Sequence, residues 1–289
     1  DLLAACLAPH GVPAAFESET HARNSCQSRR VLPLMRLLPS LMRLLPPLFP
    51  IRDRLPTRSF PFVNYGIIAA NVVAFLYQLS VLASGVSDED FARQWYLIPR
   101  HLMHDPLAAA PTIFTSMFMH GSFMHIGGNM LFLWIFGDNV EDAMGHGRYV
   151  IFYLLGGVCA AFAQVFVGPS SNVPMLGASG AISAVLAAYV FLYPRSPITV
   201  VNPVFLLWIL WGIFLYLPAW LVIGEFFVVN LWDAFANQAQ GGVAFMAHVG
   251  GFIGGTATYN LFMEGRARMN SYGRWERWVQ PRKRRDEWT

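Results

Sequence analysis

The sequence predicts an all-α polytopic membrane protein, a bundle of six transmembrane helices. Three observations carry this. Residues of the AVILMFWYC set make up 55% of the 289-residue chain and charged residues 13%, against roughly 25% charged in soluble domains. So few charges cannot coat a soluble globule, whereas lipid accepts apolar side chains outward. The basic residues avoid the middle of the chain: of 20 Lys and Arg, only Arg93, Arg100, Arg148 and Arg195 lie between Pro61 and Phe262. Finally, six apolar stretches fill that middle. Two basic ends around an apolar block are not the basic stripe of a nucleic-acid binder, so no nucleic-acid partner is expected.

Residues 1–59 hold the near-repeat Met35–Pro39 and Met42–Pro46, then a Pro- and Arg-rich run to Arg58. They read as a cytoplasmic tail without stable structure. Residues 60–265 read as the six-span domain and 266–289 as a second, basic cytoplasmic tail. The apolar stretches are Phe62–Ala83, Phe123–Asn139, Tyr149–Val167, Ser179–Tyr193, Pro218–Leu231 and Val243–Phe262. A span needs about 20 apolar residues, so the second, fourth and fifth are short. Val204–Tyr216 either lengthens the fifth or lies against the membrane, and Pro218 favours a helix start there. Basic ends belong inside, which requires an even number of spans and puts the acidic connection Ser84–Thr112 outside. Cys6, Cys26 and Cys159 make no disulfide framework.

Polar groups inside spans are costly and mark candidate sites. His125 and Asn129, four apart, share a helix face at the start of the second span; His120 lies off that face at the helix entrance. Either residue alone reads equally as interhelical glue. Ser179 stands between small residues in Gly177-Ala178-Ser179-Gly180, where the fourth span begins. There a hydroxyl is exposed on a tight turn, and backbone N–H groups at a helix start can hold an oxyanion. Gly180, Ala184 and either Ala187 or Ala188 also form a small face for close packing. In the sixth span His248 precedes Gly250, Gly251, Gly254 and Gly255, two G-x-x-x-G pairs that let helices approach closely. Such packing can bring His248 to Ser179, and a base beside a serine is the minimum for nucleophilic catalysis. From Ser179 to Tyr193 the helix rises roughly 22 Å, so with Tyr193 at the cytoplasmic interface Ser179 lies below the outer surface of a core about 30 Å thick.

The ordered set His-x4-His-x3-Asn, Gly-Ala-Ser-Gly and Ala-His-x-Gly-Gly on the second, fourth and sixth spans resembles the bacterial-type rhomboid proteases. Phe136–Asp142 with Gly145 and Arg148 resembles the family's connection after the second span, and Arg52-Asp53 and Pro218-Ala219-Trp220 match more loosely. The resemblance covers residues 50–265. It implies a rhomboid-like bundle and an intramembrane serine protease with a Ser179–His248 dyad. His125, Asn129 and the Ser179 N–H would bind the oxyanion, with His120, Gly177 and Gly180 in support. It also implies no cofactor or metal, membrane-protein substrates cut within the bilayer, and a bacterial inner-membrane location with both termini cytoplasmic. Two positions depart from the family: Pro111-Thr112 replaces a Trp-Arg pair of the first outer connection, and Ser183 replaces an aromatic residue that braces the histidine in some members.

The rival from another class is a transporter or proton relay using His125, Asn129, Glu225 and His248, against which no inverted repeat is visible. A metal site from His120, His125 and His248 is a further reading, with the first two on different helix faces. The sequence carries no signal of oligomeric state.

Overall fold

The structure, a computed structural model, describes residues 48–202, Val204, Trp208, 212–236 and 245–263. Residues 1–47 and 264–289 lie outside that description, and with them nearly all of both expected tails. In chain order the elements are strand β1 (Phe49–Asp53), helices α1 (Phe62–Ala83), α2 (Asp88–Trp95), α3 (Pro99–His104), α4 (Pro106–Ala109), α5 (Thr112–Thr115), α6 (Phe123–Phe132), α7 (Asp138–Met144), α8 (His146–Val167) and α9 (Ser179–Leu192), strands β2 (Pro197–Val201) and β3 (Phe214–Pro218), and helices α10 (Ala219–Ala236) and α11 (Phe245–Phe262).

Each of the six apolar stretches holds a helix, yet among the described residues only α1 and α8 are long and apolar enough by themselves to cross a bilayer. The acidic connection expected after α1 is itself folded into α2 to α5. Ser87 starts it by accepting the Asp90 N–H at 3.1 Å, an N-cap that offsets one orphan donor of the helix start.

The expectation of an all-α chain is corrected by one antiparallel sheet of order β1-β2-β3. Its central strand, Ile198-Thr199-Val200-Val201, is a run of β-branched residues that suits a pleated, half-buried surface. It pairs Phe49 with Val201 on one side and Pro197 with Pro218 on the other. The chain around Phe49–Asp53, assigned by sequence to an unstructured tail, is therefore part of the fold. Asp53 fixes it further: its carboxylate accepts from Asn139 Nδ2 at 2.6 Å and from the Tyr189 hydroxyl at 2.9 Å.

The second stretch is not one regular helix. Between α6 and α7, Leu133–Gly137 winds as a π-helical turn, the kind of irregularity that marks functional helices. The Leu133 carbonyl accepts from Asn64 Nδ2 at 2.8 Å, and α1 comes so close at Gly137 that a Cβ there would collide with Asn64. Glu141, fully buried, closes the N-terminus of α1. Its carboxylate accepts the Val63 and Asn64 N–H groups at 3.1 and 2.7 Å and also meets His146. An anion at a helix N-terminus answers both the orphan donors and the dipole.

The core is the layer of α8, α9 and α11. A side chain on Gly251 would strike the Gly180 carbonyl, and one on Gly255 the Ala184 backbone. These glycines let α11 lie directly on α9, and that contact sets the depth and rotation of His248 against the start of α9.

Candidate active site

Ser179 is the first residue of α9, so its hydroxyl sits where the chain turns from loop into helix. Its carbonyl accepts the Ser183 hydroxyl at 2.8 Å. His248 comes from α11 and is buried. Its Nε2 lies 2.7 Å from Ser179 Oγ, a hydrogen-bond distance for a nucleophile and its base. His248 Nδ1 is buried with no hydrogen-bond partner among the described residues, so no carboxylate there completes a triad. An aromatic residue from another helix lies near the histidine: the Phe226 ring of α10 is tilted, 6.4 Å from the His248 ring between centroids.

His125 and Asn129 project from α6, whose start is capped by Ser122 Oγ accepting the His125 N–H at 3.1 Å. Both side chains meet the chain at Gly177, which has φ +117°, a conformation open to glycine and costly for other residues. A Cβ there would lie 2.7 Å from His125 Nε2 and 3.7 Å from Asn129 Nδ2. Asn129 Nδ2 is buried and donates to nothing among the described residues. Two side-chain nitrogens therefore converge on a hollow beside Ser179, one of them a donor without an acceptor. Such groups are rare in folded proteins because each costs desolvation free energy, and they accumulate where a ligand supplies the partner.

His120 lies ahead of α6, buried, with its ring edge-on to His125 at 5.1 Å between centroids. Burial, and then the neighbouring His125, push it down to about 4, which keeps it neutral. Gly180 packs against α8, where a Cβ on it would strike Ala160.

Ser179, His248, His125, Asn129 and Gly177 line one cavity of about 410 Å³, closed on other sides by Met124, Phe132, Ile182 and Phe226. Sequence reading singled out neither Phe132 nor Phe226, since an aromatic residue in an apolar span carries no mark of its own. Glu225 stands apart, accepting the Leu48 N–H at 3.4 Å. Among the described residues no three of His, Cys, Asp and Glu cluster as metal ligands.

Residues 109–264 match the family model described as Rhomboid domain. The chain is 26% identical to the mitochondrial rhomboid protein 1 of Saccharomyces cerevisiae over 48% of this chain and 41% of that protein. It is 32% identical to the human mitochondrial presenilin-associated rhomboid-like protein over 47% of this chain and 34% of that one. With the rhomboid protease GlpG of Salmonella typhi it shares 27% identity over 69% of this chain and 66% of that protein. The matched stretch thus spans less than half the length of the mitochondrial relatives.

Proposed function

The chain belongs to the rhomboid family, and from that premise we propose that it is an intramembrane serine endopeptidase acting through Ser179 and His248. The observation that carries the reading is the 2.7 Å contact between His248 Nε2 and Ser179 Oγ beside the unpaired donor of Asn129. In this reaction Ser179 Oγ attacks the scissile carbonyl while His248 Nε2 takes its proton, then returns it to the leaving amine. The tetrahedral oxyanion takes hydrogen bonds from His125 Nε2–H, Asn129 Nδ2–H and the backbone N–H of Ser179. Donors held in place before charge develops favour the transition state over the ground state. Water then attacks the acyl-enzyme, with His248 again as base, and frees Ser179. The step uses no metal or cofactor.

Residues 60–265 are the proposed protease domain, crossing the bilayer six times with both termini cytoplasmic. The substrates are transmembrane segments of other membrane proteins. The family is membrane-embedded and its relatives come from mitochondria and bacteria alike; the bacterial inner membrane is the location proposed here, on the bacterial-type motifs. The relay reading is not favoured, because Glu225, its central residue, lies outside the cavity that holds His125, Asn129 and His248.

The test is cleavage of a tagged single-span substrate by purified protein in detergent, with Ser179→Ala, His248→Ala and a metal chelator alongside. Cleavage that survives the chelator and vanishes in both variants supports the dyad. Cleavage that persists in Ser179→Ala overturns it.

A further inference from the structure

Gln78 lies on α1, a helix that gives no residue to the catalytic cavity, and it is 4% exposed. A buried amide is costly unless its hydrogen bonds are made, and in a membrane-spanning helix it is a functional candidate. Every function of this amide is engaged. Oε1 accepts the His120 N–H at 3.1 Å; Nε2 donates to the His120 carbonyl at 2.8 Å and to the Tyr96 hydroxyl at 3.0 Å. The side chain thus grips one residue, His120, from both sides of its backbone.

The His120 carbonyl and the Gly121 N–H belong to one planar peptide unit, so holding the carbonyl fixes the direction of the N–H. That N–H points at His125 Nδ1, 3.4 Å away. An imidazole nitrogen that accepts a hydrogen bond leaves the proton on the other nitrogen. In His125 the other nitrogen is Nε2, which faces the hollow at Gly177. The donor to the oxyanion therefore depends on the orientation of a peptide that Gln78 holds.

We propose that Gln78 is a positioning residue for proteolysis: by gripping the His120–Gly121 peptide it keeps His125 in the tautomer whose Nε2–H serves the oxyanion. The inference rests on the protease reading of Ser179 and His248. It reaches beyond the dyad to a residue on a helix that lines no part of the catalytic cavity.

The experiment compares wild type, Gln78→Met, Gln78→Glu and Ser179→Ala as full-length protein in detergent. It reads kcat and KM on a single-span substrate, the melting temperature, and the ¹⁵N resonances of histidine side chains, with His125 assigned through His125→Gln. Gln78→Met is expected to lose kcat on the order of tenfold or more while KM stays within about twofold, as for loss of an interaction made in the transition state. Its His125 resonances move from one tautomer toward a mixture. Gln78→Glu recovers activity at low pH, where the protonated carboxyl can donate to the His120 carbonyl, and loses it as the acid ionises. Wild-type kcat in Gln78→Met overturns the proposal, and so does a loss of kcat with an unmoved His125 tautomer and a lowered melting temperature. Should Gln78→Met fail to fold, a pH profile of Gln78→Glu that parallels wild type overturns it equally. Absence of cleavage by wild type, matching Ser179→Ala, would instead sink the protease reading, with the histidine resonances still reporting on the clamp.

Discussion

A methyl group added to Gly177 would lie 2.7 Å from His125 Nε2. The missing side chain lets His125 pack directly on the chain at Gly177, and on the proposed mechanism the oxyanion forms in the cavity that His125, Asn129 and Ser179 line. Gly177→Ala therefore pushes the His125 ring from its place and also forces a side chain onto a backbone at φ +117°. We expect a fall in kcat on the order of a hundredfold. Labelling of Ser179 by a small serine-directed probe should fall much less, because the dyad itself is untouched. Equal losses in the two assays would mean that the substitution has disturbed the dyad rather than the hollow.

Asn129 separates function from stability. Its Nδ2 is buried without an acceptor, so the folded protein carries a desolvation cost that Asn129→Ala removes. The variant should melt no lower than wild type, despite the loss of a buried side chain, while kcat falls by about 10²–10³. A clear drop in melting temperature would show that Asn129 makes a structural bond in the membrane and is not held open for a ligand.

Asp53 gives the fold a pH dependence outside the spans. Burial, and then the charge of Asp138, push its carboxyl from 3.8 up to about 7. A raised folded value means that the folded protein keeps a proton the unfolded chain releases. The stabilisation is full below about pH 4, declines as pH rises, and is gone above about 7. Wild type should thus melt higher at pH 5 than at pH 8, a difference worth on the order of a few kcal/mol. Asp53→Asn, which can still accept from Asn139 and Tyr189, should flatten that dependence. Parallel pH slopes for the two proteins would refute the assignment to Asp53.

The parts of this molecule that were legible in its sequence are those written in a local pattern. Phe62–Ala83 is a long apolar run and is found as α1 with the same ends. Ser179 and His248 were singled out from glycine spacing and meet at 2.7 Å. The sheet was not legible, because β1 finds its partner far along the chain, Phe49 opposite Val201, and lies among prolines and arginines that suggest no structure, while β3 closes an apolar run that reads as part of a span. The break in the second stretch was hidden for a similar reason: the π-helical turn at Leu133–Gly137 depends on Asn64 arriving from α1. Phe226 and Gln78 were missed although each faces the site or its support. An isolated glutamine in an apolar helix was a visible signal for the second of these, and an aromatic among aromatics gave none for the first.

The contact between α9 and α11 decides whether Ser179 and His248 meet at all. Gly255 lies so close to α9 that a Cβ on it would fall 2.5 Å from Ala184 Cα and 2.7 Å from its carbonyl oxygen. These are backbone atoms and cannot rotate away, so the helices must part. Overpacking of this kind costs about 1–3 kcal/mol, and the separation it forces is felt at the dyad, two turns nearer the start of α11. Gly255→Val should therefore lower the melting temperature and abolish both peptide cleavage and probe labelling of Ser179. Gly224→Val, at a position with open space around its α-carbon, should leave the melting temperature nearly unchanged. If Gly255→Val retained full probe labelling, close packing of α11 on α9 would not be what brings His248 to Ser179.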